Sequence, residues 1–296
     1  MGSSEHDPSN AGELSQRLEA LLGERAVSHT PLGGGCVADV RRVTLASGAR
    51  VVVKLDPERR ARVEARMLGT LADTGAVPVP GVIACDDEIL VLEHIEHGGG
   101  ISVEVERDAA ERLSALHAHT TDDGRFGLGY DGLIGGLHQP NDWHASWPEF
   151  YADRRLRAMA DNALAHGGLD RPLRDRVHRA ADSIDALLEG ATNTPGLIHG
   201  DVWSGNVLTR AERVAALIDP ACHYADPEVE LAFITMFSTF GDAFFERYHA
   251  LRPIRAGFWE RRRAVYVLYP LLVHARLFGG GYAASVGRTL DELGVR

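Results

Sequence analysis

Apolar positions follow two different spacings along the chain, and the first third of the chain differs from the rest. Apolar stretches separated by turn residues predict three strands, over residues 26–32, 40–45 and 51–55. Asp56 and Pro57 then form a typical helix start, a capping residue followed by proline, and this helix should run to about Asp73. Two short strands follow, the second within residues 88–95.

Helical spacing dominates outside this strand region. Leucines recur every three or four positions after residue 12, and most of the chain from Val103 onward has a helical pattern. The composition shifts near residues 96–100, which predicts a domain boundary there. We therefore expect an α+β fold with an N-terminal lobe over residues 1–97, in which 1–12 form a disordered tail, and a mainly helical C-terminal lobe over 98–296.

The composition excludes several classes of protein. A chain of 296 residues with a net charge of −11 lacks the basic surface that nucleic acid requires, and its dense basic run at 261–263 should lie on the solvated side of a helix. The longest apolar run, 267–273, is too short to span a bilayer. Three cysteines without close, even spacing indicate a reducing compartment, and the polar N-terminus carries no targeting signal. We therefore expect a cytoplasmic monomer or homodimer that binds neither nucleic acid nor membranes.

A glutamate on the helix after the third strand indicates a buried ion pair. Glu64 shares one helix face with Met67 and Leu68, so its carboxylate should lie on the apolar side. Burying a carboxylate without a partner is costly, and Lys54 at the end of the third strand is the candidate cation. In protein kinases such a lysine binds nucleotide phosphates and such a glutamate holds the lysine. The alternative is a glutamate at the edge of the apolar face that reaches water.

Three consecutive glycines, Gly33, Gly34 and Gly35, lie between the first two predicted strands. Glycine lets backbone N–H groups approach phosphate oxygens closely, where a side chain would block them. The segment has neither the Walker A nor the Rossmann arrangement of glycines. It therefore predicts either a phosphate-binding loop or a simple turn between strands.

The strongest chemical signal is the stretch "LIHGDVWSGNVL" at residues 197–208. Its spacing H-x-D-x-x-x-x-N is that of a kinase catalytic loop, in which Asp201 would accept the substrate hydroxyl proton and Asn206 would bind a metal. Asp219 follows a second apolar stretch, and a hairpin between the two stretches would bring Asn206 and Asp219 together. Their oxygens are ligands that Mg²⁺ prefers. This order of residues predicts a phosphotransferase that uses ATP and Mg²⁺.

Beyond these motifs, the chain resembles the fructosamine kinase (ketosamine-3-kinase) family, which is related to aminoglycoside and choline kinases. The resemblance extends from about residue 14 to residue 285. It is carried by "GGGC" at 33–36, "VLEHI" at 91–95, "NDWHASWPEFYADRRL" at 141–156, "HGDVWSGNV" at 199–207 and "IDPACHYADPEVELAF" at 218–233. The resemblance implies a protein-kinase-like bilobal fold and ATP-dependent phosphorylation of the 3-hydroxyl of a ketosamine, such as a fructosamine or ribulosamine.

The resemblance also implies roles for residues outside the catalytic loop. Backbone groups of a hinge formed by Glu93, His94 and Ile95 would receive adenine. Trp203 would wall the sugar pocket beside Asp201, although an indole can equally stabilise a loop by packing.

An acidic cluster, formed by Asp226, Glu228 and Glu230, follows the predicted metal ligand Asp219. Its position near the catalytic loop makes Asp226 a candidate contact for the amine of the substrate, whereas Glu228 is expected on the surface. Glu230 stands where an aspartate is usual in the family. Two alternatives to a ketosamine kinase remain open: a kinase of the same fold that acts on an aminoglycoside- or choline-like compound, and a nucleotide-binding protein without catalysis.

Overall fold

The computed structural model describes residues 8–33 and 39–296, which divide into two compact units. The first unit comprises Met1–Gly69 and Pro80–Glu96, and the second comprises Thr70–Val79 and His97–Arg296. A single division after residue 97 therefore does not describe the chain completely, because residues 70–79 cluster with the second unit.

An antiparallel sheet of five strands, in the order β1-β2-β3-β5-β4, forms most of the first unit. The strands are β1 (Ala26–Pro31), β2 (Asp39–Leu45), β3 (Arg50–Leu55), β4 (Val82–Cys85) and β5 (Ile89–Glu93). Helix α1 (Pro8–Leu22) packs Leu14 and Leu18 into one buried cluster with Val43 and Val53 of the sheet. Because α1 begins at Pro8, the expected disordered tail is wrong for residues 8–12.

The helix after β3 begins later than the capping residue Asp56 predicts, because α2 spans Ala61–Ala72. The Asp56 carboxylate accepts the backbone N–H groups of Glu58 at 3.0 Å and Arg60 at 3.2 Å. It also binds the guanidinium of Arg60, and Arg59 has a left-handed backbone with φ of 62°. Asp56 thus stabilises a turn that precedes the helix rather than the first turn of the helix itself.

Helices and short hairpins build the second unit. Its α-helices are α3 (Val103–Leu116), α4 (Trp147–Phe150), α5 (Ala158–Ala165), α6 (Arg171–Asp182), α7 (Ile184–Leu187), α8 (Glu228–Phe237), α9 (Asp242–Leu251), α10 (Arg263–Phe278) and α11 (Gly281–Glu292). Its strands pair as β6 (Gly132–Ile134) with β7 (Leu137–Gln139), β8 (Gly196–Ile198) with β11 (His223–Ala225), and β9 (Val207–Arg210) with β10 (Arg213–Leu217).

The apolar run at 267–273 lies in α10, in which ten of the sixteen residues are buried. α10 packs against α5, α8 and α11, so its apolar residues form the centre of this core. Within the described part of the chain, no helix combines the length and the apolar character needed to cross a membrane.

Candidate active site

The first unit contains the predicted ion pair between β3 and α2. Nζ of Lys54 donates a hydrogen bond to Oε1 of Glu64. Lys54 lies in the middle of the sheet, opposite Val40 on β2 and Leu90 on β5, and is 8% exposed. The structure confirms that the Glu64 carboxylate faces inward and that its partner is Lys54.

The segment that follows β8 is held against the chain near Ala221. Gly200 has φ of 86°, and a Cβ atom at this position would lie 2.4 Å from the backbone oxygen of Ala221. Glycine is required here both by its backbone angle and by this close approach. The N–H of Ala221 in turn donates to the oxygen of His199 at 2.8 Å, so the two segments run side by side before Asp201.

Asn206 holds the carboxylate of Asp201 in place. Its Nδ2 donates to Oδ2 of Asp201 and to the backbone oxygen of Asp201, both at 2.9 Å. A short 3₁₀ helix, Ser204–Asn206, turns the chain so that the amide of Asn206 points back at Asp201. Because Nδ2 is used by Asp201, Oδ1 of Asn206 is the atom left to bind another group.

The predicted hairpin is present and brings Asp219 next to Asn206. β9 and β10 pair antiparallel with Val207 opposite Leu217, and the N–H of Ile218 donates to the oxygen of Asn206 at 3.1 Å. Asp219 follows directly and has a left-handed backbone with φ of 55°. Such a conformation is uncommon for a residue other than glycine and often marks a functional position.

The electrostatic environment of Asp201 favours its protonated form. Burial, the largest cause, and the negative charge of Asp219 together raise the pKa of Asp201 to about 7, against the hydrogen bond from Asn206. A carboxyl group with a pKa near 7 can accept or release a proton at physiological pH. Asp201 therefore has the pKa of a group that exchanges a proton, and Asp219 beside it supplies a negative charge that suits a cation.

The residues present fit a magnesium ion. Asn206 Oδ1 and the Asp219 carboxylate are hard oxygen donors, and Mg²⁺ is usually bound by one or two protein groups with waters and phosphates. The described residues contain no cluster of three or more histidine, cysteine, aspartate or glutamate side chains that could hold a metal. A Mg²⁺ ion held by Asn206 and Asp219 would take its remaining ligands from waters and phosphate oxygens.

Glu230, predicted only as a member of the acidic cluster and as a departure from the family pattern, anchors the catalytic loop. Its Oε1 accepts the N–H of Gly200 at 2.7 Å, and its Oε2 accepts the N–H of His199 at 3.3 Å and Nε2 of His117 at 2.8 Å. Burial acts to raise the pKa of Glu230, but the hydrogen bonds from His117 and Gly200 and the charges of His117 and His199 outweigh it, so this pKa is lowered. The buried carboxylate thus fixes the two residues that precede Asp201.

The rest of the acidic cluster is buried rather than exposed. Asp226 is 0% exposed, and its Oδ2 accepts hydrogen bonds from Arg255 at 2.6 Å and from Tyr266 at 2.8 Å. Glu228 forms a buried ion pair with Arg262, with Nε and Oε2 at 2.7 Å. The surface position expected for Glu228 is therefore wrong. The solvated position expected for residues 261–263 is wrong for Arg262, which is buried, whereas Arg261 is exposed. We do not retain Asp226 as a substrate contact, because its carboxylate is already bound inside the protein.

Trp203 is partly exposed beside the loop. Its indole lies over Gly205, where a Cβ atom would meet the ring at 2.4 Å, and its ring centroid is 6.3 Å from that of Phe237. Trp147, in contrast, is a buried core residue that donates through Nε1 to Tyr266 at 2.9 Å. Trp203 is therefore the tryptophan of these two that can meet a substrate.

The remaining predicted nucleotide-binding residues belong to the first unit. Glu93 ends β5 and its Oε2 accepts the N–H of Gly81 at 3.3 Å, while His94 and Ile95 follow it outside regular structure. Gly33 lies in a turn after β1. Gly34 and Gly35 lie outside the described residues.

The chain is similar to known kinases over nearly its whole length. Residues 11–295 match the family described as fructosamine kinase. A "Probable ketoamine kinase" of Synechocystis sp. is 33% identical over 294 residues, which cover 94% of this chain and 95% of that protein. The crystal structure of a "putative fructosamine-3-kinase" from Thermobifida fusca is 30% identical, with a TM-score of 0.83 and coverage of 94% of this chain and 97% of that one.

More distant structures share the fold alone. An aminoglycoside phosphotransferase, solved as a ternary complex with AMP-PNP and hygromycin B, is 19% identical with a TM-score of 0.63, and the match covers 94% of this chain and 97% of that one. The expected α+β, protein-kinase-like fold is therefore confirmed.

Proposed function

Because this chain belongs to the fructosamine kinase family, we propose that it transfers the γ-phosphoryl group of ATP to the 3-hydroxyl of a ketosamine, such as a fructosamine or ribulosamine. The observation that carries the proposal is the pairing of the Asp201 carboxylate with Asn206, next to Asp219. This arrangement matches the requirements of phosphoryl transfer, in which a carboxylate receives a hydroxyl and oxygen ligands hold a cation.

Asp201 is the residue that we assign to the acceptor hydroxyl. Asn206 binds Oδ2, so Oδ1 of Asp201 is the atom that would accept a hydrogen bond from the sugar. As the sugar oxygen attacks the γ-phosphorus, the hydroxyl proton would pass to this carboxylate, whose raised pKa of about 7 favours the transfer. Glu230 supports this step by fixing the backbone before Asp201.

The remaining roles concern the nucleotide. Mg²⁺ would be held by Asn206 and Asp219 and would neutralise charge on the phosphates. Lys54, oriented by Glu64, would bind phosphate oxygens as a point charge. The other assigned groups are the backbone of the glycine segment, Gly33, Gly34 and Gly35, and the hinge backbone of Glu93, His94 and Ile95.

Trp203 is assigned to the sugar. It is partly exposed and lies two residues after Asp201, with its indole fixed over Gly205. A planar apolar wall suits the C–H face of a sugar, and a rigid indole costs little conformational entropy on binding.

The test is Mg²⁺-dependent ADP release by the purified protein with a fructosamine, a ribulosamine, an aminoglycoside and choline offered in parallel. We expect turnover with the ketosamines alone. Asp201→Asn should lower kcat by about 10²–10⁴-fold, because it removes the proton acceptor while retaining an oxygen for Asn206. Asp185→Asn, which changes an exposed aspartate in α7, is the matched control for the loss of one charge and should leave kcat unchanged.

The 3-hydroxyl is tested with a 3-deoxy ketosamine, which should bind but not stimulate ADP release. Turnover of the 3-deoxy compound would move the acceptor to another hydroxyl. Turnover with choline or the aminoglycoside instead of ketosamines would overturn the substrate class, and binding of ATP without turnover on any compound would indicate a binder without catalysis.

A further inference from the structure

A cavity in the second unit adjoins the catalytic loop but contains none of the residues assigned to phosphoryl transfer. It has a volume of 880 Å³, and the catalytic loop contributes Ser204 and Val207 to its wall. Its other walls come from residues 99–101, from α3, from α8 and α9 with the segment that joins them, and from Thr209 and Trp259. The cavity is thus a second surface within reach of a substrate bound at Asp201.

The wall of the cavity is hydrogen-bonded to the catalytic loop, and it includes a residue with a strained backbone. Thr239 donates through Oγ1 to the backbone oxygen of Val202, the residue after Asp201, at 3.2 Å. Ser238, at the end of α8, has a left-handed backbone with φ of 49°. Its hydroxyl is exposed on the cavity wall and makes no hydrogen bond with the described residues. Non-glycine residues in this conformation are uncommon outside functional sites and turns.

The charge of the lining favours a cation. Of the fifteen described residues that line the cavity, two are acidic and none is basic. Glu106 is fixed there because its carboxylate accepts the N–H groups of Gly241 at 2.9 Å and Phe244 at 3.2 Å. Asp242 is exposed, and its carboxylate forms no hydrogen bond or ion pair with the described residues.

Two aromatic side chains, Trp259 and Phe245, also line the cavity. Trp259 is 48% exposed, and its ring meets that of Phe245 edge to face with centroids 5.2 Å apart. An ammonium or guanidinium group is attracted to the face of an exposed indole. The carboxylates of Glu106 and Asp242 line the same cavity as Trp259. The nearby arginine Arg247 is already bound to Glu111 at 2.6 Å, so it does not compete for this site.

The geometry points to a binding site for a lysine or arginine side chain of the polypeptide that carries the ketosamine. This inference rests on the proposed function and names the substrate class: a ketosamine on a cationic peptide rather than a free sugar-amine. A residue one to three positions from the glycated one can reach a neighbouring surface, because an extended chain spans roughly 3.3 Å per residue. The sugar itself is assigned to Asp201 and Trp203, so the cavity is left for another part of the substrate.

The experiment compares three glycated substrates: a small free ketosamine, a peptide with arginine two positions from the glycated lysine, and the same peptide with glutamine at that position. Wild-type protein should give a kcat/KM for the arginine peptide about fivefold above that for the glutamine peptide. Asp242→Asn and Trp259→Ala should each bring this ratio towards one. Glu260→Gln, which removes an exposed carboxylate outside the cavity lining, is the matched control and should leave the ratio unchanged.

Calorimetric binding of the same two peptides without sugar separates this inference from the proposed function. Tighter binding of the arginine peptide that depends on Asp242 supports the cation site even if no ketosamine is phosphorylated. Equal kcat/KM values and equal binding for the two peptides would overturn the cation site while leaving ketosamine phosphorylation intact. A ratio that falls equally in Glu260→Gln would also overturn it, because the effect would then come from total charge.

Discussion

Gly200 is the residue at which the backbone of the catalytic loop is most tightly constrained. An alanine there combines a left-handed φ with a Cβ atom 2.4 Å from the oxygen of Ala221, and the clash cannot be relieved without moving the loop. Gly167 has a similar φ of 76° but open space around its Cβ position. We expect Gly167→Ala to lower the free energy of unfolding by about 1 kcal/mol, as a positive φ alone requires.

Gly200→Ala should be more destabilising than Gly167→Ala and should also lower kcat, because displacing Ala221 shifts the neighbouring Asp201. Urea unfolding of both variants, with steady-state kinetics on the same samples, measures the two effects. Equal destabilisation with full activity in Gly200→Ala would show that the loop can move without consequence for Asp201.

Glu230 is a positioning residue whose loss should affect both folding and turnover. A glutamine at this position presents one donor where the native carboxylate accepts from His199, Gly200 and His117. Leaving a buried donor without an acceptor costs about 1–3 kcal/mol, and removal of the charge that faces His117 adds to this. We expect Glu230→Gln to lower kcat while the KM for ATP changes little.

The conservative variant Glu230→Asp separates geometry from charge. It keeps the carboxylate but shortens the side chain, so it should recover part of the kcat that Glu230→Gln loses. A Glu230→Gln protein with wild-type kcat at a temperature where it is fully folded would contradict the positioning role.

The ion pair between β3 and α2 is an interaction between elements, and its effect should appear in nucleotide binding. Lys54→Met removes the charge that we assign to phosphate and should raise the KM for ATP about tenfold or more. Glu64→Gln leaves Lys54 in place but replaces the carboxylate beside it by a neutral amide, so a smaller increase in KM is expected. A double-mutant cycle on KM should show strong coupling, and additive effects would mean that Glu64 does not act through Lys54.

At this scale, local patterns predicted the elements that hold the site. The apolar face of α2 was enough to place Glu64 inward, and the two apolar stretches around the loop were enough to predict the hairpin of β9 and β10. The beginning of α2 was not predicted, because the turn at Asp56 depends on the side chain of Arg60 and on a left-handed Arg59. Short-range spacing thus predicts which elements form, but not the side-chain hydrogen bonds that decide where an element begins.

Buried ion pairs between residues far apart in the sequence could not be predicted from short-range spacing. Glu228 and Arg262 are 34 positions apart, and only their meeting inside the second unit makes both of them buried. Glu230 likewise forms a buried hydrogen bond with His117, which is 113 positions away in the sequence. A charged residue without a nearby partner in sequence looks like a surface residue, so the acidic cluster was assigned wrongly at Glu228 and its anchoring role was missed at Glu230.

For the whole molecule, buried histidines should make stability depend on pH near neutrality. Burial lowers the pKa of His223 well below its ordinary value, and the positive charge of Arg155 adds to this effect. Its Nδ1 donates to the oxygen of Ala221 at 3.1 Å, while Nε2 is buried without a hydrogen bond to the described residues. Below pH 6.5 the unfolded chain binds a proton at His223 that the folded chain does not, so stability is lost as pH falls.

For His223 this loss approaches about 1.4 kcal/mol per pH unit well below pH 6.5, where the unfolded histidine is fully protonated. His199, whose pKa is also lowered by burial, acts in the same direction. Asp201 acts in the opposite direction, because its raised pKa favours the folded state as pH falls from 7. The wild-type curve alone therefore mixes opposing contributions.

The difference in unfolding free energy between wild type and His223→Gln isolates one of them. It should shrink by about 1 kcal/mol between pH 6.5 and 5.5 in urea unfolding, because the unfolded histidine is only half protonated at pH 6.5. His119→Gln, an exposed change, is the control for which the difference should stay constant. A constant difference for His223→Gln would mean that the folded protein accepts a proton at His223 as readily as the unfolded chain does, against the repulsion expected from Arg155.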